Sequence, residues 1–122
     1  MSEAVATCVG VVTLDVVAIV DSFPEVEGRT EARDIFLTGG GTAANAAVVL
    51  ARQGVPTAFA GLVGDDQAGR RAVELLRAEG VDTSGVQVSP GAPTQTSCVI
   101  VDSSTSSRSI MTTAAAPLTG NR

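Results

Sequence analysis

The sequence predicts an α/β protein: an open parallel sheet carrying helices, with a second, smaller sheet projecting from it. Three observations carry this expectation. Apolar β-branched runs at residues 5–12 and 57–63 are each followed, at a distance, by a helical segment, and a glycine closes each helix. Strand, helix, strand, helix, strand at these spacings is the pattern of right-handed βαβ crossovers. Two further pairs of half-polar extended segments break that rhythm, and alternation of this kind suits a sheet with one wet face.

Residues 5–12 form a Val-rich run expected to be a strand buried on both faces, with Asp15 just past its carboxyl end. Residues 16–23, stopped by Pro24, and the alternating residues 29–36 flank the turn Glu25-Val26-Glu27-Gly28 and read as a pair of exposed strands. From Thr38 to Asn45 the chain reads as a glycine-rich loop, and residues 46–52 as a helix apolar on most sides. Gly54 stands at the C′ position and Pro56 prevents continuation. Residues 57–63 are the next buried strand. Gly64-Asp65-Asp66 then turns the chain and offers a carboxylate to cap the helix at 67–79, where Ala72, Leu75, Leu76 and Glu79 share a face and Arg70 precedes Glu74 by one turn. Gly80 closes that helix. Residues 86–88 are a short strand before the turn Pro90-Gly91-Ala92-Pro93. Residues 96–101 and 109–113 read as a hairpin around the polar stretch 102–108, and residues 114–122 show no periodicity.

At 122 residues with 44% apolar and 17% charged side chains, the chain has the makings of one folded unit. The longest apolar run, residues 9–20, carries Asp15, and a carboxylate at a bilayer centre costs about 2.5 kcal/mol or more, so no membrane span is expected. The N-terminus lacks the basic flank of a signal peptide, which makes the cytoplasm the expected location. There is no His and no Lys; all 8 cations are Arg. Ser-His-Asp and Cys-His relays are excluded, as are Schiff-base and P-loop lysine chemistry, and any phosphate must be held by Arg, backbone N–H groups or a metal. Cys8 and Cys98 lack metal-site spacing and are expected to be buried, reduced thiols. A net charge of −5 argues against a nucleic-acid surface.

A glycine-rich loop entering a helix aims backbone N–H groups and the positive end of the helix dipole at one point, which suits an anion or a polyol oxygen. A plain tight turn satisfies the same glycines. A dinucleotide site is a third reading, because Gly39-x-Gly41-x-x-Ala44 fits the loosened fingerprint and Asp65 follows about 20 residues on. Against it stand the short strand at 34–37 and the amide of Asn45 in the first helical turn. An amide offers a donor and an acceptor together, the pairing a sugar hydroxyl requires.

The run Gly40-Gly41-Thr42-Ala43-Ala44-Asn45-Ala46-Ala47, with Gly54 and Gly64 after it, resembles the first signature of the ribokinase family, the PfkB carbohydrate kinases. Cys8-Val9-Gly10 with Asp15, the stretch Gly61-Leu62-Val63-Gly64-Asp65-Asp66 with Gly69, and Leu75 through Gly80-Val81-Asp82 fall where that family has them. The second hairpin, with Arg108, is similar in pattern to ketohexokinases and fructokinases, and to a kinase acting on a sulfonated fructose. The resemblance implies a ribokinase-like three-layer α/β/α sheet, here partial, with a projecting β-sheet lid from strands at about 14–37 and 94–113. It implies ATP-dependent transfer of the γ-phosphoryl group to a hydroxyl of a small sugar, a ketohexose of the fructose kind, with Mg2+ accompanying ATP. By resemblance Asp15, Gly40, Gly41, Thr42 and Asn45 bind the sugar, Arg108 reaches a nucleotide phosphate, and the lid pairs two copies as a homodimer.

The family's catalytic base and anion hole belong to a segment resembling D-T-x-G-A-G-D, and nothing like it occurs in this sequence. The chain is therefore expected to be the N-terminal, sugar-binding portion of one domain, with no catalytic residue, no metal ligand and no phosphoryl transfer of its own. The alternative expectation is a non-catalytic sugar-binding or dimerisation module; a dinucleotide-binding domain is more distant.

Overall fold

A computed structural model describes residues 3–114, and its elements run β1 (Ala6–Gly10), β2 (Thr13–Val20), β3 (Asp34–Gly40), α1 (Thr42–Arg52), β4 (Thr57–Gly64), α2 (Gln67–Ala78), β5 (Asp82–Ser89), β6 (Thr96–Asp102) and β7 (Ser107–Thr112). They make two sheets. The first has the order β1-β4-β5, all parallel; the second has the order β3-β2-β6-β7. In the second sheet β2 and β6 run parallel, while β3 and β7 are antiparallel to their neighbours.

The first sheet grows in one direction, from β1 to β4 to β5, so right-handed crossovers place both helices on the same face. Side chains from both helices, Ala44 and Ala47 on α1 and Ala72 and Leu76 on α2, meet Phe59 and Val63 of β4 and Val12 in one core. Phe59 is fully buried and is the largest side chain there; burying it contributes roughly 3 kcal/mol. Small residues on the helices allow this close approach. The described residues thus supply a sheet and one helical layer.

This one-sided coverage changes the expectation for the first strand. β1 is not buried on both faces: Cys8 turns to the core, while Val9, on the face without helices, is 71% exposed. Likewise α1 is not buried on most sides, since only Ala44 and Ala47 are fully covered and Val49 is exposed. Cys8 and Cys98 are free thiols as expected, but half-buried, because one lies in this edge strand and the other in the thin second sheet.

The second sheet also shifts the strand boundaries. The second strand begins at Thr13 and contains Asp15, which therefore stands inside β2 and not in a loop after β1. The third begins at Asp34 and takes in Gly39 and Gly40, leaving Gly41 alone between strand and helix. Period-2 alternation fixes faces but not registers, and the pairing with β3 and β6 sets the actual ends. The β6–β7 hairpin closes over a turn in which Asp102 accepts from the backbone N–H of Ser104 at 2.9 Å and from its hydroxyl at 2.6 Å. The unpatterned segment expected from residue 114 lies, from 115 onward, outside the described residues.

Three crossings join the sheets, at residues 11–12, 41 and 90–95. The third is pinned by side chains. Asp66 caps α2, its Oδ1 accepting from the Gly69 N–H at 2.8 Å, as the sequence led one to expect. The same carboxylate also accepts from the Thr94 hydroxyl at 2.6 Å and the Thr94 N–H at 2.9 Å. Thr94 Oγ1 in turn accepts from the Gly64 N–H at 2.9 Å. The end of β4, the start of α2 and the approach to β6 are thereby tied at one point. Arg70, one turn before Glu74 on α2, reaches back to Asp65 at 3.5 Å.

Candidate functional site

The turn from β3 into α1 is built on glycine for two different reasons. Gly41 has φ +95, and a Cβ there would run into the carbonyl oxygen of Val11, so only glycine lets the two crossing segments touch. Gly40 has ordinary extended geometry, but a Cβ on it would collide with Asp15 Oδ2 and Thr13 Oγ1. The missing side chain is the space that the Asp15 carboxylate occupies. Thr13 holds that carboxylate by donating its hydroxyl to Oδ1 at 2.7 Å. Asp15 Oδ2 has no hydrogen-bond partner among the described residues, and Asp15 is only half-buried. The corner therefore presents an oriented acceptor beside bare backbone.

Antiparallel pairing sets Asp15 opposite Thr38 and Thr13 opposite Gly40, so these four share one face of the second sheet. The row continues through β6 and β7, where Ser97 pairs with Asp15 and Thr112 pairs with Ser97. The next row on that face is Phe36, Val17, Val99 and Ile110, all apolar. Polar oxygens beside an apolar strip match a monosaccharide, which offers hydroxyls on its edges and C–H groups on its faces.

Asn45 sits one turn into α1, its N–H donating to the Gly41 carbonyl at 2.8 Å. Its side chain is exposed and, with Thr38 and Gly39, lines one end of a groove of about 290 Å³ between α1 and α2. Arg52 and Glu79 also line that groove and hold each other through two 2.7 Å contacts. Asp15 is not part of the groove wall. Thr38 belongs to both places, as the cross-strand partner of Asp15 and as a wall of the groove holding Asn45. Thr42, the first residue of the helix, is exposed.

Arg108 lies on β7 opposite Val101, which pairs with Ile19, so it shares the face of Asp15 but stands four residues further along. With about 3.3 Å per residue and 4.8 Å per strand, the two are roughly 16 Å apart. Arg108 is exposed and forms no ion pair among the described residues. Among the described residues no group of three or more His, Cys, Asp or Glu is placed to hold a metal ion. Among the described residues no helix is long and apolar enough to cross a membrane.

Glycine spacing marks the corner itself, with Thr38 at the start of the run, but it does not mark Thr13, Ser97 and Thr112. Their membership depends on register across four strands. The only sequence signal was the density of Ser and Thr at one alternation phase of the second hairpin.

A family model described as pfkB family carbohydrate kinase matches residues 4–120. Ketohexokinase of Mus musculus is 34% identical over 111 residues, covering 91% of this chain and 37% of that protein. The ATP-dependent ribose-1-phosphate kinase of Halopiger xanaduensis is 39% identical over 93 residues, covering 76% of this chain and 31% of its own length. Among solved structures, a protein of Agrobacterium tumefaciens assigned as a ribokinase superposes with TM-score 0.85 at 34% identity, covering 89% of this chain and 35% of that one. A ribokinase of Arabidopsis thaliana complexed with ribose and ATP gives TM-score 0.73 at 26% identity, over 93% of this chain and 36% of the other. The chain spans about a third of the length of the relatives it matches.

Proposed function

Because the chain belongs to the pfkB family of carbohydrate kinases, we propose that it supplies the sugar-binding part of an ATP-dependent sugar kinase whose acceptor is a small ketose of the fructose kind. The observation that carries this reading is the corner at Gly40. There Thr13 orients the Asp15 carboxylate and the absent side chain leaves Oδ2 open beside an apolar strip. A carboxylate oxygen is a strong acceptor for a sugar O–H, and an accepted proton orients the hydroxyl that bears it.

In this reading Asp15 accepts from sugar hydroxyls, the backbone of Gly40 and Gly41 and the side chains of Thr42 and Asn45 close round the same sugar, and Arg108 meets a nucleotide phosphate from the second sheet. That sheet acts as a lid and as the surface through which two copies pair. ATP supplies the phosphoryl group. No residue of this chain serves as base for the acceptor hydroxyl, since no D-T-x-G-A-G-D-like segment is present.

Ligand-observed NMR of the 122-residue chain with D-fructose, D-ribose and NADH tests the reading. Saturable binding of D-fructose supports it; saturable NADH binding with no sugar response contradicts it. The dinucleotide reading has less to stand on, because β3 is antiparallel to β2 and the glycine fingerprint therefore lies outside any parallel βαβ unit. A second reading, a sugar-binding or dimerisation module without chemistry, is favoured by the exposed apolar residues Ile35, Leu37 and Met111 on the face of the second sheet opposite Asp15.

A further inference from the structure

The row Thr38, Asp15, Ser97, Thr112 crosses all four strands of the second sheet, and the hydrogen bonds within it settle which chemistry it offers. Ser97 donates its hydroxyl to Thr112 Oγ1 at 3.1 Å. Gln95 Nε2 donates to the same Thr112 oxygen at 3.1 Å, and the Thr112 hydroxyl donates to the Thr113 carbonyl at 3.1 Å, with the Thr96 carbonyl at 3.4 Å. With its proton committed to Thr112, Ser97 Oγ faces a ligand as an acceptor. Asp15 Oδ2 is an acceptor as well. Their residues are cross-strand neighbours on one face, with Oδ2 lying against Gly40 on one side and Ser97 Oγ bonded to Thr112 on the other. The row therefore carries two acceptors on one face, and among the described residues the cation on that face, Arg108, stands roughly 16 Å from Asp15 backbone to backbone.

Resting on the sugar-binding reading above, we propose that Ser97 is a specificity-determining residue of that site: together with Asp15 it selects a neutral ketose that brings two hydroxyl donors to this row, and it disfavours an acceptor bearing a phosphate or sulfonate there. A hydroxyl satisfies either acceptor by donating its proton. A phosphate or sulfonate oxygen has no proton to give at neutral pH and meets the Asp15 carboxylate as a like charge. Thr112 and Gln95 are positioning residues; they fix which way the Ser97 proton points. The second hairpin resembles ketohexokinases in particular and also a kinase of a sulfonated fructose, and the row favours the neutral sugar.

The test is titration of the full chain with D-fructose and with D-fructose 6-phosphate by ligand-observed NMR, alongside Ser97→Ala, Ser97→Thr and Asp15→Asn, each with its thermal melt. The expected result is D-fructose binding to the wild type with little or no binding of the phosphate ester. Ser97→Ala weakens D-fructose by about 2- to 12-fold, the worth of one net hydrogen bond, and Ser97→Thr restores it. Equal binding of the two sugars by the wild type overturns the proposal. So does D-fructose affinity that is lost in Asp15→Asn but untouched in Ser97→Ala, a pattern that leaves the sugar site standing and removes only Ser97 from it. No D-fructose binding by the wild type removes the sugar site and this proposal together. A melt that falls in Ser97→Ala and Ser97→Thr alike, with binding falling in step, assigns Ser97 to folding and also overturns it.

Discussion

Asp66 accepts hydrogen bonds from both the hydroxyl and the backbone N–H of Thr94, 28 residues further along the chain, while capping its own helix. One carboxylate thus joins the first sheet, α2 and the strand that enters the second sheet. Replacing Thr94 with Val keeps the volume but removes the donor to Asp66 and the acceptor for the buried Gly64 N–H. An orphaned buried donor costs about 1–3 kcal/mol, so Thr94→Val should melt roughly 5–10 °C lower. A melt unchanged from the wild type would show that the tie contributes nothing.

The same contact predicts an acid dependence. The Thr94 hydroxyl, then the Thr94 N–H, hold the Asp66 carboxyl below its ordinary 3.8, with smaller help from the Gly69 N–H and Arg70. A lowered folded-state value means the contribution is fully present above the ordinary carboxylate range and is lost as pH falls below about 4 through the lowered value. The wild-type melting temperature should therefore fall over that interval more steeply than that of Asp66→Asn, which has no proton to take up there. Parallel acid profiles for the two proteins would contradict this.

Gly40 and Gly41 predict different failures. Gly41→Ala forces a side chain onto a positive φ and into the Val11 carbonyl, a backbone cost of about 1–3 kcal/mol before any clash, and should lower the melting temperature clearly. Gly40→Ala has no backbone penalty; its Cβ displaces the Asp15 carboxylate. It should leave the melt nearer to wild type and abolish most D-fructose affinity. The reverse pattern, stability lost at Gly40 and binding lost at Gly41 alone, would overturn the assignment of roles.

How far this was legible in the sequence follows from the range of each interaction. Asp66 as a cap, Gly54 and Gly80 as helix stops and the hairpin, read around 102–108 and found to turn at 103–106, are local, and spacing along the chain reveals them. The partner of Asp66 is not local, so Thr94 could not be found from the helix it helps to start. Val9 looked buried because its run is apolar, yet the covering of β1 depends on which face the crossovers place the helices. Asp15 looked like a loop residue because strand ends are set by pairing, and the pairing of β2 with β3 and β6 starts at Thr13 and Leu14.

The apolar side chains left open on the second sheet predict self-association. Ile35 and Met111, each 63% exposed, share with Leu37 the sheet face opposite Asp15, a larger apolar display than scattered surface residues explain. Sedimentation equilibrium should show a mass that rises with concentration, and Met111→Glu should return the chain to the monomer without lowering its melt. A wild type that stays monomeric at every concentration would exclude pairing through this sheet.

Calorimetric titration of D-fructose into the wild type and into Asp15→Asn decides the matter most directly. Loss of one charged acceptor is worth about 1.5–3 kcal/mol, so affinity should fall by about 10- to 150-fold while the melting temperature barely moves. Equal affinities for the two proteins would mean that Asp15 does not touch the sugar, and the corner at Gly40 would lose its assigned role.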